Sequence, residues 1–207
     1  MTNGDYPVRF TVDYPEKLDR LTTAFRIVTI IPIAIVLATI SGAMFSETGE
    51  GAHGGGAVGG GLLIAGPLLM ILFRQKYPRW WFDWNLALLR FTARVESYFL
   101  LLTDTYPSTD EEQAVHLDID YPDVERDLNR WLPLVKWLLA IPHVVVLVFL
   151  WLAALVSVFM AWFAILFTGR YPKGLFDFVV GVMRWTWRTV AYAMVLTTDR
   201  YPPFRLA

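Results

Sequence analysis

Asp83, Arg90 and Arg94 follow one another at spacings of seven and four residues, and Asp177, Arg184 and Arg188 repeat both the residue types and the spacings. At about 100° per residue each trio falls on one narrow stripe of a helix. The surrounding residues are apolar and rich in aromatics, WWFDWNLALLRFTARVESYFLLLTDTYP over 80–107 and GLFDFVVGVMRWTWRTVAYAMVLTTDRYP over 174–202. Guanidinium groups on such a helix suit charge-assisted, often bidentate hydrogen bonds to phosphate, here that of a lipid headgroup. The plainer reading, and the commoner one for such helices, is the wet face of an amphipathic helix anchored at a membrane boundary. Pairing of Asp with Arg inside one helix is disfavoured, because two turns separate them by about 10.5 Å. A structural role for the stripe would instead tie the helix of one copy to that of the other.

The remaining polar residues offer less chemistry. Tyr-Pro occurs seven times, at Tyr6, Tyr14, Tyr77, Tyr106, Tyr121, Tyr171 and Tyr201. Tyr favours the headgroup level and Pro ends a helix or strand, so Tyr14, Tyr77, Tyr106, Tyr121, Tyr171 and Tyr201 are expected to be interfacial anchors. Arg26 and Lys136 sit near the starts of long apolar runs and can snorkel to the boundary. His143 lies deeper, but Ile33 occupies its place in the first copy, so no symmetric proton relay is implied. His53 stands beside Glu47 and Glu50 in a Gly-rich stretch over 49–61, and the three His match no metal-ligand spacing. Gly54 to Gly61 lacks the Lys-Ser/Thr sequel of a phosphate loop. With no Ser/His/Asp or Cys/His pattern either, no catalytic residue, metal or cofactor is expected.

Composition says what kind of molecule carries these residues. Of 207 residues, 56% are hydrophobic and 18% charged, and the mean hydropathy is +0.44. A soluble domain carries roughly 25% charged residues. The apolar surplus therefore has lipid as its natural solvent. A net charge of −1 gives no basis for nucleic-acid binding, and the absence of Cys leaves the redox compartment open. The polar N-terminus, MTNGDYPVRF, has no signal-peptide core.

The elements that must position the two stripes are themselves repeated. Val8 to Pro15 matches Val115 to Pro122, Arg20 to Pro32 matches Arg130 to Pro142, and Lys76-Tyr77-Pro78 matches Arg170-Tyr171-Pro172. So many matches in one order predict a tandem duplication, with a first unit over 1–107, a polar linker over 108–114 and a second unit over 115–207. Val8–Val12 and Val115–Ile119 alternate apolar and polar residues and predict strands. Each is too short to be stable alone, so the two are expected to join one small sheet, with Tyr201–Leu206 as a further strand. Short polar helix starts are predicted over 16–20 and 123–130. Leu21 to Ile40 is long enough for one membrane span, with Pro32 and Pro142 as expected kinks. Gly60 to Phe73 gives a second, shorter apolar run. Trp131 to Phe167 is too long for one span and about right for two, with a tight turn expected within Trp151 to Ser157; a single long tilted helix is the alternative, and the match with the first unit argues against it. The expected fold is a mainly α membrane protein, each unit made of a strand, a transmembrane helical hairpin and an interfacial amphipathic helix, with the small sheet at the membrane surface.

Two crossings per unit put all eighteen Lys and Arg on one side of the membrane or at its boundary. Three crossings would split them and place Arg90 and Arg94 near the bilayer centre, at ~2.5–3.5 kcal/mol each. The expectation is therefore a multi-pass protein of the cell membrane with both termini cytoplasmic.

The order of these motifs is specific: a short strand ending in Asp-Tyr-Pro, a hairpin with Ile-Pro, then Tyr-Pro, an Asp…Arg…Arg helix and a closing Thr-Asp-x-Tyr-Pro. It resembles the bacterial membrane proteins of domain-of-unknown-function family 4389, in two tandem copies. The resemblance implies location and architecture, and brings no activity and no catalytic residue. The functional expectation is a non-enzymatic structural or accessory membrane protein that binds lipid headgroups, another membrane protein or a second copy of itself. A small transporter or channel subunit is the alternative, for which the spans offer few polar groups.

Overall fold

A computed structural model describes residues 6–40 and 66–206 of the protein. The Gly-rich stretch over 49–61, with His53, lies outside the described residues. Strand β1 (Val8–Val12) pairs antiparallel with β2 (Val115–Ile119), with Phe10 opposite Leu117 at the centre. Alternation decides the faces. Val8, Phe10, Val12, Val115, Leu117 and Ile119 are buried, while Arg9, Thr11 and Asp118 point outward.

Helix α5 (Arg79–Phe99) packs on β2, and α8 (Lys173–Val190) packs on β1. Each helix therefore covers the strand of the other half of the chain. Both begin directly after a Tyr-Pro, whose proline closes the preceding segment and leaves its own carbonyl to accept from the first turn. A π-helical turn, Ala191–Val195, extends α8. Leu101 after α5 and Leu196 after this turn both take positive φ, 65° and 60°. That conformation costs a non-glycine residue about 1–2 kcal/mol. Both side chains are buried in the core, and their burial offsets a cost of that size.

The apolar runs form α1 (Arg20–Ala24), α2 (Arg26–Thr29), α3 (Ile31–Ile40), a helix over 66–74 (α4) and α7 (Pro133–Thr168); a short α6 (Val124–Asp127) precedes α7. Asp19 caps α1 by accepting from the Leu21 N–H. Helix α2 ends at Thr29 and α3 begins at Ile31, one residue before Pro32, which has no N–H to donate back to the preceding turn. Pro142 does not interrupt α7.

Three expectations are corrected here. The turn predicted within Trp151 to Ser157 is absent, and α7 is one continuous helix of 36 residues. Its sequence there, Trp-Leu-Ala-Ala-Leu-Val-Ser, has no Gly, Pro, Asn or Asp to reverse the chain, and Leu and Ala are strong helix formers. The transmembrane hairpin expected of the second unit thus loses its turn. Residues 201–206 are irregular and add no strand; among the described residues the sheet has two. The polar helices predicted over 16–20 and 123–130 shrink to α1, which starts at Arg20, and the single turn of α6.

Candidate functional site

One side of α7 faces the protein through a stripe that includes Lys136, Ala140, His143, Leu147, Ala154, Ser157, Ala161 and Ile165. This is the i, i+3, i+4, i+7 pattern of a helix laid against a core along its full length. Most of the rest of α7 is exposed, and from Leu134 to Phe167 the exposed side chains are Leu, Val, Ile, Trp, Phe and Met apart from Pro142 and Ala153. Its three polar residues before Thr168 all lie in the buried stripe. A groove of 440 Å³ between α7 and α8, lined by Trp137, Val144, Trp151, Val190 and Met194 among others, continues this apolar surface. Most exposed residues over α1–α3 are of the same kind, with Leu21, Phe25, Ile27, Val28, Ile31 and Ile35 uncovered; Arg20 and Thr39 are the exposed polar ones. Among the described residues α7 is the one helix long and apolar enough to cross a membrane.

Two polar stations stand at the ends of α7. At its start, Lys136 is fully buried; its ammonium pairs with Asp199 at 2.6 Å and donates to the Thr198 carbonyl at 2.7 Å. The other oxygen of Asp199 accepts from the Asn129 N–H. At the far end, Phe167 presents its carbonyl to Arg20 (3.2 Å) and Gly169 presents its own to the Leu18 N–H (2.9 Å). Here Arg26 is buried, pairs with Asp104 and donates to the Thr103 carbonyl at 2.8 Å, and Asp104 also accepts from the Asp19 N–H. The station at Asp199 has the same arrangement as the station at Asp104, with Lys136 for Arg26, Thr198 for Thr103 and Asn129 for Asp19. Tyr98 lies under the Arg26 guanidinium at 4.0 Å and Tyr192 near the Lys136 ammonium at 5.2 Å. Snorkelling was expected of Arg26 and Lys136; both instead point inward and are neutralised by protein carboxylates.

The two Asp/Arg stripes divide. Asp83 and Asp177 are exposed, and Asp83 meets Arg79 only at 3.9 Å. Arg90 donates to the Leu117 carbonyl (2.8 Å) and pairs with Asp118 (2.7 Å), both on β2. Arg184 donates to the Phe10 carbonyl of β1 (2.9 Å) and to the Leu206 carbonyl (3.0 Å). Arg94 is buried and donates to the Ser108 carbonyl at 2.9 Å. Burial, then the neighbouring Arg90 charge, lowers its pKa. Arg188 is buried beside the Tyr6 ring. Each middle Arg therefore fastens its helix to the strand of the other half of the chain, a crosslink that helical spacing alone does not reveal.

The Tyr-Pro residues divide as well. Tyr14, Tyr106, Tyr121 and Tyr201 are partly exposed. Tyr77 and Tyr171 are buried, and burial pushes both phenols well above their usual range. Both are enclosed by the protein. Tyr121 donates to the Tyr77 carbonyl and Tyr14 to the Tyr171 carbonyl, so each pair again links the two halves. His143 accepts from the Trp185 indole at 3.0 Å through Nδ1 and stacks on Phe204 at 4.0 Å. Glu96, inside α5 and missed by the sequence reading, has its carboxyl pushed up to about 7 by burial. The signal for it was available: a carboxylate in the second half of an amphipathic helix, one residue from the face that turned out to be buried.

The model of Domain of unknown function (DUF4389) matches residues 131–205. No curated protein and no solved structure matches the chain. The matched segment holds α7, α8, the Lys136–Asp199 station and the second Asp/Arg stripe, so the likeness to that family rests on one copy of the motif order.

Proposed function

We propose that this protein is a resident of the bacterial cell membrane, built by tandem duplication, that serves as a structural or accessory component and carries out no reaction of its own. The observation behind it is the outer side of α7, where a run of apolar side chains, nearly all of them large, faces away from the protein. Burial of such side chains stabilises by about 1.5–3 kcal/mol each, and patches of this size on soluble monomers are rare. The duplication is supported by the recurrence of whole contacts: Arg26–Asp104 with Lys136–Asp199, Arg90 on β2 with Arg184 on β1, Tyr121 to Tyr77 with Tyr14 to Tyr171, and Leu101 with Leu196. It is supported too by the strand register, which maps onto itself when the copies are exchanged. The charged loops belong to the cytoplasmic side by the positive-inside rule.

The membrane reading is tested by fractionating cells that express the chain. It should sediment with membranes and stay there through high salt and alkaline carbonate. Recovery in the soluble fraction without detergent would sink the proposal. Lipid headgroups or a membrane partner are the proposed contacts, and mass spectrometry of material purified gently in detergent identifies which. The Asp/Arg stripes are separated from that role by changing Arg90, Arg94, Arg184 and Arg188 to Gln. Loss of co-purified anionic lipid with the fold intact assigns the stripes to headgroups. Loss of stability with the lipid complement intact assigns them to the crosslinks, the outcome expected from their acceptors on the strands.

A further inference from the structure

The membrane reading leaves open how α7 lies in the lipid, and its length bears on that. Thirty-six residues extend roughly 54 Å at about 1.5 Å each. The exposed apolar face, Leu134 to Phe167, covers roughly 50 Å of it, against about 30 Å of bilayer hydrocarbon. An upright α7 would leave roughly 20 Å of that face in water, about the length of a thirteen-residue helix. Fitting it into the core would require a tilt above about 50°, outside the about 0–40° found for spanning helices.

The polar stations give a second, independent constraint. Helix α7 starts at the Asp199 station and ends beside the Asp104 station, and the two are built alike. Exchanging them exchanges β1 with β2 about the pair Phe10 and Leu117. The sheet therefore stands midway between them. Were α7 a crossing helix, the stations would lie at opposite membrane surfaces and the sheet at mid-depth. The sheet and its rim carry Arg9–Asp120 with side chains 47% and 55% exposed, Arg90–Asp118 at 41% and 55%, and Asp13 at 72% beside His116. Uncovered charges near the bilayer centre cost about 2.5–3.5 kcal/mol apiece. With both stations on the same side, the carboxylates of the sheet are in water, and the apolar side of α7 meets lipid together with the exposed apolar residues of α1–α3.

We infer that α7 lies along the membrane plane, sunk by its outer face into the hydrocarbon of a single leaflet, with both of its ends on one side of the bilayer. The inference rests on the membrane reading and replaces crossing by in-plane embedding. Its partner is the acyl layer of one leaflet, and its neighbours at the two ends are headgroups. Trp131 and Trp137, both widely exposed at the first end, are placed where indoles gather at that boundary.

The native chain has no cysteine, so single substitutions report position. Lys17→Cys and Lys173→Cys flank the end of α7, and Glu125→Cys lies four residues before Asn129 at its start; all three positions are exposed. A membrane-impermeant maleimide applied to intact cells, and separately to inverted vesicles, should label all three from the same side. Labelling of Glu125→Cys from one side and of Lys17→Cys and Lys173→Cys from the other overturns the inference and leaves membrane residence standing. A protein absent from the membrane fraction overturns both. Depth supplies a second measurement that does not depend on the loops. Leu138→Cys, Phe149→Cys and Phe159→Cys, each on the exposed face, carry a fluorophore in vesicles holding lipids brominated at different chain positions. The three should share one quenching profile. A profile deepest at Phe149→Cys, with the other two near the surface, is that of a crossing helix and overturns the inference.

Discussion

Lys136 is the residue at which the balance of this structure is easiest to test. Its side chain is wholly buried against Asp199, which is itself only 19% exposed. Removing one partner of a buried pair costs about 3–5 kcal/mol, mostly from the charge left behind. Lys136→Met should lose stability on that scale in denaturant unfolding of the purified protein. Lys136→Arg should recover most of the loss, because Arg26 makes the same contacts at the other station; equal loss in both variants would mean that the stations are not interchangeable. Glu96 gives a pH dependence of definite sign. Its folded carboxyl titrates at about 7 rather than 4.5, so the folded state holds the proton more tightly than the unfolded state. The associated stability is fully present below about pH 4.5 and lost as pH rises to about 7. Glu96→Gln should therefore unfold at a higher temperature than the parent at pH 8 and at nearly the same temperature at pH 4. A parent and variant that differ equally at both pH values would show that Glu96 acts through packing.

At the scale of elements, short pieces are held by partners distant in sequence. Two five-residue strands would not persist alone. Here α5 and α8 cover them, and Arg90 and Arg184 bond their carbonyls. The last described residues join this arrangement, since the Leu206 carbonyl accepts from Arg184 and Leu206 lies over Gly181 of α8. A Cβ at Gly181 would stand 2.9 Å from the Leu206 Cβ and 3.2 Å from its carbonyl oxygen. In an open helix Gly→Ala gains about 1 kcal/mol. Gly181→Ala should instead lower the melting temperature and make the C-terminal residues susceptible to carboxypeptidase, because the tail must move and Arg184 then loses an acceptor. A rise in melting temperature with the tail still protected would contradict that packing.

Across the whole molecule, the two halves are joined by exchange. The sheet, the Tyr–carbonyl pairs and the Arg crosslinks all run from one half to the other, as do the bonds from Arg130 to Leu72 and from Arg20 to Phe167. A half produced alone would expose one strand edge and the helix face that covers its counterpart. Residues 1–107 and 108–207 expressed as separate chains should therefore be recovered only when co-expressed, as a complex that co-purifies through a tag on either one. Stable recovery of each half by itself would show that the exchange contacts are dispensable.

The sequence by itself determined the strands, the two Asp/Arg helices, the order of elements and the excess of apolar surface, because each rests on local periodicity or on composition. Val8–Val12 and Val115–Ile119 have the bounds that alternation predicts, and α5 and α8 begin where Tyr-Pro ends the segment before them. Tertiary structure alone decided the rest. Helical spacing put Arg90 and Arg184 on a stripe but could not say that β2 and β1 would supply their acceptors, since those carbonyls lie 27 and 174 residues away. An apolar Lys136 environment read as lipid until Asp199 was brought beneath it. The turn expected within Trp151 to Ser157 rested on the length of one span. The chain has no turn residue there, so the helix continues, and packing along one full side of α7 gives that continuity its place in the fold.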